Sequence, residues 1–303
     1  MQNTNTELVA TLIAGIGTKL SPLLVQELAG QSKKGGVTSV RTEWLAPDEA
    51  ADIFGAGIRA DQWRKRLYQI IGDQPVDLIV QPAAGRRKKF LAADMESTII
   101  EQELLDELAG EIGMRDQVAE ITRRSMNGEI DFGAALRERV ALLKGKPAQI
   151  LEKVAQLITT TPGAAELVAT MKANGAQAWL ITGGFSCFAN PVAATLGFDR
   201  SYANELIIKD SLMTGKAREP ILDRNRKKTL LEKACTELKI SLAECLAVGD
   251  GANDVPMLTC CNEGGGLGIA FQAKPKVRQA VPHQINHADL TALIYVQGLG
   301  VKG

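Results

Sequence analysis

Residues 90–98 read Phe90-Leu91-Ala92-Ala93-Asp94-Met95-Glu96-Ser97-Thr98, and this stretch decides how the chain is understood. Four apolar residues make a short buried strand, and the polarity then changes abruptly. In an open parallel sheet, ligands bind outside the carboxyl ends of the strands. An acid at a strand end, followed two residues on by a second acid in a turn, presents both carboxylates to one pocket. One can attack while the other manages protons. The plainer reading of the same residues is a helix N-cap, where Asp and Ser are favoured.

Outward from this stretch the same grammar recurs. Residues 178–182 (Ala-Trp-Leu-Ile-Thr), 245–249 (Cys-Leu-Ala-Val-Gly) and 268–271 (Gly-Ile-Ala-Phe) are further buried strands separated by helical patterns. Such alternation predicts an α/β fold, a Rossmann-like parallel sheet with helices on both faces. Residues 101–160 carry helical spacing and no strand, so a helical cap of about 101–164 is expected after the first strand. The core is then 85–100 and 165–303, with residues 206–209 as a small hairpin strand.

Upstream the pattern differs. Residues 8–14 and 38–44 read as strands, 20–28 as a helix opened by Ser21-Pro22, and 61–71 as a helix before a strand at 76–80. Pro47-Asp48-Glu49 suggests a short helix over 46–54. The result, β-α-β-α-α-β in residues 1–84, is a small α+β module of the ferredoxin-like sort. Pro82-Ala83-Ala84-Gly85 and the basic run Arg86-Arg87-Lys88-Lys89 read as a solvated linker, with anion binding as the sharper alternative.

Composition excludes several classes. The 303 residues are 45% hydrophobic, and 35 basic residues balance 35 acidic ones. Zero net charge argues against a protein that coats nucleic acid or an anionic membrane. No apolar run is long enough for a membrane helix. Residues 1–7 lack the basic region of a signal peptide, so a cytoplasmic protein is expected. The five cysteines contain no CxxC pair and form neither a zinc signature nor a disulfide framework, which fits a reducing compartment. The glycine-rich stretch at 260–268 reads as an extra surface loop; it lacks the context of a nucleotide cradle.

Three further motifs carry chemistry. Thr182-Gly183-Gly184 follows an apolar strand, and a hydroxyl with glycine amides can cradle a phosphate. Taken alone it is also an ordinary tight strand-to-helix turn. Lys227 stands in Asp223-Arg-Asn-Arg-Lys-Lys at a helix start, where a lysine is usually a solvated charge. Gly249-Asp250-Gly251-Ala252-Asn253-Asp254 puts two carboxylates and an amide in one glycine-broken turn. That suits Mg²⁺, which takes few protein carboxylates, and the ligand string is too short for a calcium loop.

In this order the four motifs resemble the haloacid dehalogenase superfamily of phosphotransferases, over about residues 90–295. Within it the likeness is greatest to the phosphoserine-hydrolysing branch, carried by residues 94–109, 136–144, Thr182-Gly-Gly-Phe, residues 249–254 and Gly268-Ile-Ala-Phe-Gln-Ala-Lys-Pro. The first 84 residues look like the ACT-like domain that precedes some bacterial members.

The resemblance implies a set of roles. Asp94 would be the nucleophile and Glu96 the general acid and base. Mg²⁺ would sit between the Asp94 carboxylate, the Glu96 backbone carbonyl and Asp250. Lys227, Thr182 and Gly183 would hold phosphate oxygens, Asn253 would help bind substrate, and Asp254 would orient Lys227 or the metal's surroundings. In the cap, Glu103 would meet a substrate ammonium and Arg139 its carboxylate, with Met126 and Phe132 as an apolar wall. Each of these cap residues has a plainer reading as helix surface or ordinary core. Glu96 departs from the family's usual Asp by one methylene, and Thr182 stands where many members have Ser. The implied substrate is phosphoserine. Phosphohomoserine, a sugar phosphate, or a catalytically weakened amino-acid sensor are the alternatives, and the N-terminal module is left either to regulate or to pair subunits as a homodimer.

Overall fold

The computed structural model describes residues 6–126 and 129–300; the side chain of Met126, expected in the apolar wall, lies outside the described residues. Two sheets organise the chain. The first holds β1 (Leu8–Ala14), β2 (Thr38–Ala46), β3 (Ala50–Ala56) and β4 (Val76–Pro82), with α1 (Pro22–Lys34) after β1 and α2 (Ala60–Ile71) after β3. It is antiparallel where β1 pairs with β3 and β4, in the order β2-β3-β1-β4. The module is therefore β-α-β-β-α-β. The helix expected at 46–54 is instead a turn at Pro47-Asp48-Glu49 and the strand β3. Asp48 takes a left-handed conformation (φ 59°), which a short polar side chain tolerates. The apolar run 50–56 then fills the gap between β1 and β2, where a helix could not satisfy both neighbours.

The strands β1, β3 and β4 are buried along nearly their whole length. One face, with Leu8, Leu12, Ile53, Leu78 and Val80, packs under α1 and α2. The other packs on the second domain through Ile13, Ala50 and Ile79. Its polar members are all bonded. The Asp77 carboxylate accepts from the backbone N–H groups of Asn286, His287 and Ala288 at 2.8–3.0 Å. Asp52 accepts from Thr11 at 2.7 Å and Arg86 at 2.6 Å, and Gln81 donates to the Val296 carbonyl at 2.6 Å. The basic segment is thus no solvated linker: Arg86 pairs with Asp52, Lys88 donates to Gly85 and Ala243 carbonyls, and Lys89 pairs with Glu244.

The second sheet has six parallel strands in the order β12-β11-β10-β5-β6-β7. These are β5 (Phe90–Ala93), β6 (Gln177–Phe185), β7 (Arg200–Asn204), β10 (Cys245–Gly249), β11 (Leu267–Phe271) and β12 (His283–Ile285). Helices α7 (Ala164–Ala173), α8 (Ser186–Leu196), α9 (Arg224–Leu238), α10 (Val255–Glu263), α11 (Pro275–Ala280) and α12 (Ala292–Tyr295) accompany it. Between β5 and β6 lie the cap helices α3 (Leu104–Glu111), α4 (Arg115–Met126), α5 (Phe132–Ala141) and α6 (Gln149–Ala155). The hairpin β8 (Leu206–Lys209) and β9 (Leu212–Ala217) joins the cap: Gly145 N–H donates to the Met213 carbonyl at 2.8 Å and Met213 N–H to the Lys146 carbonyl at 2.9 Å. Residues 260–268 are not an extra loop. They are the end of α10, a tight glycine turn and the start of β11. A Cβ on Gly268 would lie 2.1 Å from the Leu258 carbonyl oxygen, so the glycine permits close helix-to-strand packing. Among the described residues no helix is long and apolar enough to cross a membrane.

His283 illustrates how the buried seam responds to pH. Its Nδ1 is 3.0 Å from Asn262 Oδ1, and the Asn262 carboxamide is oriented by two 2.9 Å bonds to the Gly268 backbone. Nδ1 therefore donates. Burial first, and Arg64 next, hold this imidazole down at about 4. An unfolded chain would protonate it below about 6.5, so its contribution is complete above that value and is lost as the pH falls toward 4. Urea titrations at pH 7 and 4.5 should show the wild type losing up to roughly 3 kcal/mol more than His283→Gln over that interval. Equal losses would remove His283 from the account.

Candidate active site

The carboxyl edges of β5, β6 and β10 lie side by side because β5 is the strand between the other two. The register aligns Ala93 with Val248 and Leu180, so the residues that follow these strands converge. Asp94 leaves β5 with its N–H on the Val248 carbonyl at 3.0 Å, and only 4% of the residue is exposed. Lys227 reaches it from the first turn of α9. That helix start is secured by Asp223, which accepts from the N–H groups of Asn225 and Arg226. The Lys227 stem crosses the core, and its fully buried Nζ donates to Asp94 Oδ1 at 2.5 Å and Asp254 Oδ1 at 2.6 Å. Asp254 spends its second oxygen on the Gly251 N–H at 3.0 Å.

Asp94, Asp250 and Asp254 bring one carboxylate oxygen each within 4.8 Å of the others. Burial, followed by repulsion from Asp254, pushes Asp94 well above the usual carboxylate range and Asp250 up to about 7. Burial alone would push Lys227 down; Asp254 and Asp94 override it and raise it. Three buried carboxylates facing one buried ammonium leave a surplus of negative charge. An all-oxygen donor set with that surplus fits a small divalent cation. Both oxygens of Asp254 already accept hydrogen bonds, so Asp94 and Asp250 are the carboxylates with oxygens to spare.

Glu96 is not one of these three clustered carboxylates. Its Oε1 accepts from the Leu104 N–H at 2.8 Å, at the amino end of α3. Burial and then the Glu103 charge raise it to about 7, while the Leu104 N–H, Arg139 and Lys227 oppose the rise. A carboxyl poised there can both give and take a proton near neutrality. Its other oxygen lies over Gly184, where an added Cβ would sit 2.7 Å from Oε2. Gly184→Ala should therefore displace the Glu96 carboxylate and lower turnover about a hundredfold while leaving the melting temperature nearly unchanged. Wild-type turnover in that variant would mean the Glu96 position is not critical.

Thr182 is buried, and its hydroxyl oxygen accepts from the Gly184 N–H at 2.9 Å, leaving the hydroxyl proton free to donate. Phe132 of the cap lies on Gly183: a Cβ there would be 2.9 Å from its ring. Asn253 folds back over Gly251. Glu103 accepts from the Ser97 hydroxyl at 2.9 Å. Among the described residues Arg139 has no bonded carboxylate; burial pushes it down against the pull of Asp106, Glu96 and Glu103. So the cap brings Arg139, Glu103 and Phe132 to the same cleft as the core motifs.

Sequence reasoning missed three contributors. Asn204, at the end of β7, donates to the Gly183 carbonyl at 2.7 Å and accepts from the Leu222 N–H at 2.7 Å, anchoring the glycine turn. A lone asparagine carries no pattern that would reveal this. Lys274 stands 3.6 Å from Asp250 and 3.9 Å from Glu103, and Ser97 holds Glu103. Both sit inside motifs already noted, so their neighbourhood was the available signal.

Comparison with known proteins is consistent with this geometry. Residues 89–262 match the family model described as haloacid dehalogenase-like hydrolase. The phosphoserine phosphatase of Lactococcus lactis is 42% identical, over 71% of this chain and 98% of its own. A crystal structure of a HAD family hydrolase from Salmonella enterica serovar Typhi superposes with a TM-score of 0.84 at 28% identity, covering 96% of this chain and 98% of that one. A substrate-bound phosphoserine phosphatase complex superposes with a TM-score of 0.64 at 37% identity, covering 69% of this chain and 98% of its own.

Proposed function

The chain belongs to the haloacid dehalogenase-like hydrolases, and from that premise we propose that it is a magnesium-dependent phosphoserine phosphatase, forming L-serine as the last step of serine synthesis. The observation that carries the reading is the buried Asp94–Lys227–Asp254 chain beside Asp250, under a cap whose Arg139 has no carboxylate partner among the described residues.

Lys227 occupies Asp94 Oδ1, which leaves Oδ2 to attack phosphorus in line. The new bond is Asp94 O–P, and the bond that breaks is phosphorus to the serine oxygen. Glu96 gives its proton to that departing oxygen, then takes one from the water that hydrolyses the aspartyl-phosphate, releasing phosphate and restoring Asp94. Asp94, Asp250 and the Glu96 backbone carbonyl would hold Mg²⁺, which would supply charge neutralisation for the phosphoryl group. Lys227, the Thr182 hydroxyl and the Gly183 N–H take its remaining oxygens, and Asn253 helps seat it. Phe132 excludes water, Glu103 meets the substrate ammonium, and Arg139 forks onto the carboxylate.

The test is phosphate release from O-phospho-L-serine with Mg²⁺ and with EDTA, beside phosphohomoserine and sugar phosphates. Turnover that is fastest on phosphoserine and lost in EDTA is expected. Release only from a sugar phosphate would overturn the reading. Arg139→Ala should raise KM for phosphoserine about ten- to a hundredfold, with a smaller effect on phosphate esters that lack a carboxylate.

A further inference from the structure

Where the two domains meet, the seam opens into a cleft of about 440 Å³, away from the catalytic edge of the sheet. One wall is α2, with Arg64 and Tyr68. The other is α11 and the chain leading into and out of β12, with Arg278, Gln279, Gln284 and Asn286.

Two observations mark this as a site for a ligand. The first is unspent charge. Most arginines of the chain are paired, among them Arg41 with Glu7, Arg86 with Asp52, Arg124 with Glu138, Arg200 with Glu237 and Arg218 with Glu205. Among the described residues, neither Arg64 nor Arg278 has a side-chain hydrogen bond or a carboxylate partner, and both line the same cleft. Asp77, the carboxylate that influences Tyr68, is already saturated by three backbone N–H groups. The second is preformed walls. Those three bonds tie residues 286–288 to β4. Tyr68 donates to the Leu78 carbonyl at 3.2 Å, and Gln284 donates to the Arg278 and Val281 carbonyls at 2.6 and 3.1 Å. The walls that carry the two guanidinium groups therefore need little reordering when an anion enters.

We propose that this interdomain cleft binds a small oxyanion, the carboxylate or phosphate group of a small molecule, between Arg64 and Arg278, with the Tyr68 ring beside its carbon skeleton. Guanidinium forks suit both kinds of group. The site is built from both domains and does not depend on the phosphatase reading.

The test is calorimetric titration of the full chain, without divalent cation and at constant ionic strength, using inorganic phosphate and malonate as probes. Wild type is compared with Arg64→Ala/Arg278→Ala, which leaves every active-site residue in place and should keep basal turnover, so the difference between the proteins reads the cleft. The wild type should bind one more equivalent of at least one probe, and the double variant should bind it at least tenfold more weakly. Arg64→Lys/Arg278→Lys, which keeps the charge, should recover part of the affinity. Tighter binding of phosphate assigns the site to a phosphorylated ligand, and tighter binding of malonate to a carboxylate. Identical titrations of both probes by the wild type and the alanine variant overturn the proposal.

Discussion

Asp94→Asn is expected to lower phosphate release by about four orders of magnitude or more while leaving the protein at least as stable as the wild type. An amide is nearly the same shape as a carboxylate but has no anionic oxygen with which to attack phosphorus. The fold should tolerate it for an electrostatic reason. Asp94 is 4% exposed, and burial first, then the charges of Asp254 and Asp250, push its protonation upward. Removing one of three crowded negative charges relieves repulsion, and the remaining pair still has Lys227. Phosphate release and urea unfolding on the same preparation check both halves. Appreciable residual turnover would remove Asp94 as the nucleophile; a large stability loss would mean that the ion pair with Lys227 outweighs the repulsion.

Lys227→Met should fail in both measurements. The ammonium is fully buried and donates to two carboxylates at 2.5 and 2.6 Å. Methionine fills the volume of the stem but leaves Asp94 and Asp254 facing each other without a counter-charge. Breaking a buried pair from one side costs about 3–5 kcal/mol. Turnover should fall about a thousandfold, because a preorganised positive group is lost where phosphoryl charge develops. The double variant Asp94→Asn/Lys227→Met should regain part of the lost stability, since it removes one of the orphaned charges. Additive losses would show that Lys227 acts mainly by packing.

The two variants differ because the residues are legible in the sequence to different degrees. Asp94 could be found from its place after Phe90-Leu91-Ala92-Ala93, where polarity breaks at a strand end. Lys227 is one of several basic residues at a helix start, and by itself it reads as solvated. Its burial depends on a contact with Asp94 at a separation of 133 residues. The same holds for Asn204 at the glycine turn. The misread helix at 46–54 has a related cause: Pro47-Asp48-Glu49 suits a helix start and a turn equally, and only β1 and β2 on either side select the strand.

By itself the sequence determined the α/β core, the cap after the first strand, the small α+β module before it and the order of the chemical motifs. These follow from local polarity, periodicity and strand-end placement, which are properties of neighbours along the chain. Tertiary structure alone decided that β1, β3 and β4 of the N-terminal sheet are buried on both faces, that Asp77 and Arg86 belong to the seam, and that Glu96 reaches the start of α3. It also decided that Arg64 and Arg278 share one cleft. Burial and charge pairing depend on which distant groups exclude water from a side chain, and no local pattern carries that information.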